Sequence, residues 1–256
     1  MIVNFETIGI CHTDYNSKFG IPRQPGLCPD ARGVIELRPD AQLVRAVGEL
    51  SEFSHIWVIF CFHETGRIGW RPTIRPPRFG GAKRIGVLST RSPHRPNPIG
   101  MSVVKLEGIE VHGAVARIVV SGIDILDKSP VLDVKPYIKY ADAVIDANSG
   151  WAVGGFEVVE VSWGEEAMRS VEELLSNEHS SITALKDRKL ELARRYRVIS
   201  QVIAQDPRPA MQQRKLPIHA DESEGLCFGV ELFGWDVRFR IQDRKFCIFE
   251  VIALPA

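Results

Sequence analysis

Between Gly66 and Leu106 the chain reads GRIGWRPTIRPPRFGGAKRIGVLSTRSPHRPNPIGMSVVKL, and this stretch limits what the remainder can fold into. It carries Arg67, Arg71, Arg75, Arg78, Lys83, Arg84, Arg91 and Arg95, with no Asp or Glu between the first and the last. Pro72, Pro76, Pro77 and Pro93 stand among these cations. Proline fixes φ and removes a backbone donor, so most of the segment is barred from helix interiors and central strands. It has to be a stiff loop system. The whole chain balances 32 Lys and Arg against 32 Asp and Glu, so the positive charge is concentrated here rather than general. A charge run is commonly just a solvated surface. The single sign, together with the Arg-Pro and Pro-Asn-Pro stiffness, points instead to a loop that grips a polyanion.

Around this stretch the sequence predicts mainly strands. Residues 2–10 suit an opening strand, and 31–37 a second. Asp40 is placed to cap a short helix through Leu43 and Val47. The nearly continuous apolar run 55–62 predicts a strand buried on both faces. Further strands are expected over 84–89, 102–111, 115–121 and 155–161, with a hairpin turn at His112-Gly113. No regular strand-helix alternation links them, so a closed or partly closed β-barrel is expected rather than a doubly wound sheet. Composition changes near Trp163. Helical periodicity follows over 165–175 and 181–204. In the second segment Ile182, Leu185, Leu192, Tyr196, Ile199 and Ile203 form one apolar stripe, with Lys186, Lys189, Arg194 and Arg197 mostly off it. Trp235, Val237, Phe239 and Ile241 alternate with polar residues, predicting the middle of a three-stranded meander. The expected class is therefore mostly β: a barrel over residues 1–162 and a smaller α+β domain over 163–256, with two helices and three strands.

Several function classes are disfavoured. No G-x-G-x-x-G and no Walker-type loop occurs, so no Rossmann or P-loop nucleotide site is indicated. The five cysteines are scattered, with no C-x-x-C pair and no zinc-ligand spacing, so neither a disulfide framework nor a metal site is expected. The start of the chain lacks the pattern of a signal peptide, and the apolar run 56–62 is too short to cross a bilayer. A soluble cytoplasmic protein without membrane contact is expected. No activated nucleophile announces itself. Asp124, Asp127 and Asp133 lie in one acidic-apolar stretch, GIDILDKSPVLDVKPYIKYAD, where they can either shape turns or serve as base or ligand. His63-Glu64 follows the apolar run, where strand ends often deliver side chains to a pocket. A basic loop beside an acidic one suits a reaction between a phosphate-rich substrate and a nucleoside-bearing donor, of which methyl transfer from S-adenosylmethionine is one case.

The stretch from Ser89 to Ser102, STRSPHRPNPIGMS, resembles the signature of the TsaA/TrmO-like family. So do KFGIPRQPG from Lys18, WRPTIRPPR from Trp70, DILDKSPVLDVKPY from Asp124, QDPRP from Gln205 and the closing segment 235–254. The matches run in order along nearly the whole chain. The resemblance implies a homodimeric β-barrel methyltransferase of non-Rossmann type, using S-adenosylmethionine to methylate N6 of threonylcarbamoyladenosine in the anticodon loop of tRNA. It implies that the donor is held by Gln24, Pro25 and Gly26, by His63 and Glu64, by Arg91, and by Asp124, Ile125, Leu126, Asp127 and Lys128. Arg71, Arg75, Arg78, Arg84, Arg95 and Arg208 are expected on tRNA phosphates. Asn97 is expected on the base or the threonyl carboxylate, and Tyr137 is expected to stack on the base. Asp127 and Asp133 are the candidates for a base. Two departures bear on the pocket: Lys128 stands where family members often have Gly, and Glu64 where others have an amide. If the loop requires φ > 0 at residue 128, the Lys must adopt it. Two other readings compete: a non-catalytic RNA-binding barrel, and a methyltransferase of a small anionic metabolite.

Overall fold

The computed structural model describes residues 2–65, 69–77, 82–154, 158–178 and 185–255. In chain order the first part comprises β1 (Gly9–Thr13), β2 (Arg32–Leu37), α1 (Ala41–Ala46), β3 (His55–Cys61), β4 (Thr73–Ile74), β5 (Ile85–Gly86), β6 (Ile99–His112), β7 (Val115–Ser121), β8 (Ser129–Pro136) and the single turn α2 (Lys139–Asp142). Six of these strands close into a barrel in the order β1-β2-β7-β6-β3-β8, each antiparallel to its neighbours. Closure removes the unpaired edges that an open sheet would expose.

The interior of so small a barrel is filled by side chains. Ile35, Ile56, Val58, Val104, Ile118, Val120 and Val131 are all buried there. β3 departs from the expected two-sided burial: Ile56, Val58 and Phe60 point inward, while His55, Trp57, Ile59 and Cys61 are half-exposed on the outer wall. The Phe60 ring lies directly across Gly100 of β6, leaving no room there for a Cβ. The glycine of the Pro-Ile-Gly-Met signature thus admits a core aromatic. α1 is capped as expected, with Asp40 Oδ1 accepting from the Gln42 amide at 2.8 Å.

Other boundaries moved. The opening strand begins only at Gly9, residues 2–7 being exposed and outside the barrel. The expected strand 84–89 is two residues of β5 followed by a 3₁₀ turn, Val87–Ser89. β8 was not expected at all.

The second part holds β9 (Val161–Trp163), α3 (Glu165–Asn177), α4 (Leu185–Ala204), α5 (Ala210–Lys215), β10 (Cys227–Leu232), β11 (Trp235–Gln242) and β12 (Lys245–Ala253). The predicted meander is β10-β11-β12, extended by β9 running parallel to β12. The expected strand over 155–161 is placed instead at β9, and its residues 155–157 lie outside the described residues, as do 181–184 at the expected start of the long helix. α3 buries Ala167, Val171 and Leu175 against the sheet. α4 buries Val198, Ile199, Val202 and Ile203, but also Arg194 and Arg195, so its inward face is not purely apolar. Among the described residues no helix is long and apolar enough to cross a membrane.

Candidate active site

Because all six barrel strands alternate in direction, β1, β3 and β7 end at the same rim from which β2, β6 and β8 begin. Three long connections therefore share that rim: 14–31, 62–98 and 122–128. They contain all the residues expected to bind the donor.

The acidic connection 122–128 is drawn down by Ile123 and Ile125, both fully buried. Between them, Asp124 Oδ1 accepts from Ser102 Oγ at 2.6 Å, and Ser102 is an inward-facing, buried residue of β6. Burial pushes the Asp124 carboxyl up to about 6, against the opposing effects of the Ser102 bond, its own backbone amide and the charge of Arg91. Asp127 plays a different part. Its Oδ1 accepts from the Thr13 amide at 3.0 Å, its amide donates to the Tyr15 carbonyl at 2.9 Å, and Thr13 Oγ1 donates to the Ile125 carbonyl at 2.9 Å. These bonds stitch the acidic loop to the end of β1. Lys128 has φ 61°, so the loop does require the left-handed conformation at that position, and a lysine adopts it at a cost of about 1 kcal/mol.

The connection 14–31 meets the same loop. Gly26, with φ 78°, donates its amide to the Gly122 carbonyl at 2.8 Å, and the space where a Cβ would stand is open. Gln24 Oε1 accepts from Arg91 Nη1 at 2.6 Å, joining two motifs 67 residues apart. Pro25 lies between these contacts. At the end of β3, His63 Nδ1 is 3.4 Å from Ser129 Oγ, which itself donates to the Leu126 carbonyl at 2.7 Å; His63 Nε2 is 3.8 Å from Glu64 Oε1. The expected donor-binding residues thus come together at one rim.

The basic connection is folded on itself by short bonds. The Arg71 amide donates to the His94 carbonyl, the Val87 amide to the Pro72 carbonyl, and Arg95 Nη1 to the Thr90 carbonyl at 3.1 Å. Arg71, Arg75, Arg84 and Asn97 are exposed, Arg95 is half-buried, and Arg78 lies outside the described residues. Trp70 is exposed among these cations.

Three expected residues lie elsewhere. Asp133 faces the outer wall of β8, opposite Ile59, with Oδ2 2.7 Å from Lys135 Nζ. Tyr137 follows the far end of β8, its amide bonded to the His55 carbonyl and its ring 6.0 Å from that of Trp57. The length of β3, roughly 20 Å at strand rise, separates it from His63. Arg208 corrects the expectation of a phosphate contact. Its side chain is 1% exposed and holds Asp206 through two bonds of 2.6 and 2.7 Å. Its remaining Nη1 donates to the Leu216 carbonyl, and the guanidinium stacks on Phe228. All of this is internal support for the second part. Ser102 and Thr13, by contrast, were not singled out in the sequence and both hold the acidic loop; the signal for Ser102 was a hydroxyl at an inward position of a strand.

Cys11 lies buried beneath the rim, and its thiol is pushed up to about 12 by burial and then by Asp127 and Asp124, which disfavours the reactive thiolate. Among the described residues, no group of three or more His, Cys, Asp or Glu could hold a metal ion.

Known proteins resemble this chain over nearly its whole length. The family model described as the tRNA-methyltransferase O N-terminal domain matches residues 10–143, and that of the TrmO C-terminal domain matches 157–254. The chain is 37% identical over 245 residues to an Escherichia coli protein named tRNA (adenine(37)-N6)-methyltransferase, covering 96% of each. It is 43% identical over 232 residues to Pseudomonas aeruginosa RcsF, provisionally named an S-adenosylmethionine-dependent methyltransferase, covering 91% of this chain and 90% of that one. A crystal structure of TrmO from Pseudomonas aeruginosa superposes with a TM-score of 0.74 at 34% identity, covering 99% of both chains.

Proposed function

The chain belongs to the tRNA-methyltransferase O family, and from that premise we propose that it is an S-adenosylmethionine-dependent methyltransferase acting on N6 of adenosine 37 of tRNA. The observation that carries this reading is the meeting of Gln24, Arg91 and Asp124 at a rim whose neighbouring loop is uniformly basic.

The rim residues suit the donor. Asp124 is a partly buried acid within reach of the Arg91 charge, fit to accept from ribose hydroxyls or an ammonium. Gly26 leaves open space beside the backbone, so a flat nucleoside can approach it. Bound there, S-adenosylmethionine supplies a methyl group already activated on a sulfonium. The chain's own task is then mainly alignment. Ser102 fixes the Asp124 carboxyl, Arg91 fixes the Gln24 amide, and Asp127 fixes the loop that carries both Asp124 and Leu126. His63 and Glu64 close the rim on the β3 side. Arg71, Arg75, Arg84 and Arg95 take phosphates of the anticodon loop, and exposed Trp70 offers a ring on which an unstacked base can rest. We assign the threonylcarbamoyl form of adenosine as the acceptor, because its added carboxylate suits the basic rim and Asn97. Asp133 and Tyr137 take no part in this site within one chain.

The split of the chain near residue 160 into a barrel domain and an α+β domain is supported by the two sheets and the two family models. A cytoplasmic location accords with a tRNA substrate. Homodimer formation is supported by an apolar outer wall, where Trp57, Ile59 and Met101 lie together on β3 and β6.

The donor reading is tested by titration calorimetry with S-adenosylmethionine on the protein and on Asp124→Ala. Saturable binding that the variant loses supports it. Absence of binding to the unaltered protein would leave the basic loops as an RNA grip alone.

A further inference from the structure

The tip Gln24-Pro25-Gly26 touches the barrel through Gly26 and Arg91, yet the residues on either side of it are held from beyond residue 160. Immediately before the tip, Arg23 Nη2 donates to the Asp206 carbonyl at 3.1 Å. Immediately after it, the Leu27 carbonyl accepts from Gln205 Nε2 at 3.3 Å. Asp30 accepts from Arg197 Nε at 2.7 Å and from Gln201 Nε2 at 2.8 Å. At the other end of the connection, Asp14 Oδ2 accepts from Arg194 Nη1 at 2.7 Å.

Residues 194, 197, 201 and 205 recur at intervals of three and four, so they form one stripe along α4 and its end. The stripe is itself held rigid where it is most buried: Arg194 is gripped by Glu191 through bonds of 2.6 and 2.8 Å. We propose that this polar face of α4 is a positioning clamp for the donor-binding loop, so that the C-terminal part sets donor affinity without touching the donor. The inference rests on the reading of Gln24-Pro25-Gly26 as a donor contact. Its physical content is preorganisation. When a loop occupies its competent conformation only part of the time, apparent affinity falls by that fraction. Bonds flanking a three-residue tip on both sides keep the fraction near one. Ion pairs and amide bonds of this kind are individually modest, which is why several act together.

The test compares Arg197→Met/Gln201→Ala, Arg197→Met alone and Gln24→Ala with the unaltered full-length protein. Calorimetry should show S-adenosylmethionine binding about five- to twentyfold weaker in the double variant. The single variant, whose side chain is half-exposed and dispensable for the core, should show a smaller loss in the same direction. Affinity for tRNA and the maximal rate at saturating donor should stay within twofold, so the effect appears in KM for the donor and not in kcat. Arg197→Lys, which keeps a charge beside Asp30, should recover part of the loss. Donor affinity equal to the unaltered protein's in both clamp variants would overturn the clamp. So would equal losses of donor and tRNA binding with a lowered melting temperature, which mark a purely structural role. Donor binding undiminished in Gln24→Ala would overturn the reading beneath it, an outcome separable from the other two.

Discussion

Asp124 is the residue on which the proposed donor site rests most. Its pKa of about 6 stands above the ordinary 3.8, so folding favours the protonated form. The stability this gives is fully present below about pH 4 and is lost as pH rises through about 6. Asp124→Asn should therefore match the unaltered protein near pH 4 and exceed it at pH 8, by on the order of 2–3 kcal/mol in urea unfolding. Donor affinity should run the other way. The ionised carboxylate attracts a cationic ligand, so binding should weaken by up to about tenfold per pH unit below 6, and Asp124→Asn should bind weakly at every pH. A pH-independent donor affinity in the unaltered protein would contradict this role. At this scale the motifs pointed to Gln24, Arg91 and Asp124 but not to their contacts. Arg208 shows why. QDPRP reads as a basic loop, and nothing in it reveals that Asp206, at φ 51°, turns back to take the guanidinium. Arg194 was likewise read only as lying mostly off the apolar stripe of its helix, because periodicity cannot see that Asp14 is brought to meet it.

At the scale of elements, the Phe60–Gly100 crossing links core to site. Gly100 stands two residues before Ser102 on the same inward face, so any shift of β6 there moves the hydroxyl that fixes Asp124. Gly100→Ala should destabilise by about 1–3 kcal/mol through overpacking and should weaken donor binding as well. Phe60→Leu in the same chain should restore donor binding in part. Calorimetry and urea unfolding on both variants check this, and unimpaired stability in Gly100→Ala would show that the crossing is slack. β3 was legible as a strand from its β-branched and aromatic run, but its apolar outer face made it read as buried on both sides. β8 was illegible because Pro130 and Pro136 bracket it; the bulge opposite Ile59 and Phe60 lets the barrel accommodate that irregular strand.

For the molecule as a whole, the absence of strand-helix alternation sufficed to predict a barrel, since short strands joined by loops bury themselves best by closing. The order of strands was not legible. It arises from long-range pairing, such as β1 with β8 and β3 with β8, which no local pattern encodes. The three-residue β9 was placed too early for the same reason, its position being set by β12 rather than by its own sequence. The outer wall that hid the true burial of β3 carries a prediction at this scale. Sedimentation equilibrium should report a dimer, and Met101→Glu, which puts a charge on that wall, should shift it to monomer by weakening association at least tenfold. A monomer at high micromolar concentration in the unaltered protein would remove the dimer from the account.

The central claim is methyl transfer to adenosine 37, and it is tested most directly by incubating the protein with isotopically labelled S-adenosylmethionine and tRNA, then analysing the nucleosides by mass spectrometry. Parallel reactions use tRNA with and without the threonylcarbamoyl group. We expect one labelled methyl per tRNA, on N6 of the modified adenosine, and none on the unmodified tRNA. A label found on another nucleoside, or on no nucleoside while the donor binds, would contradict the assignment.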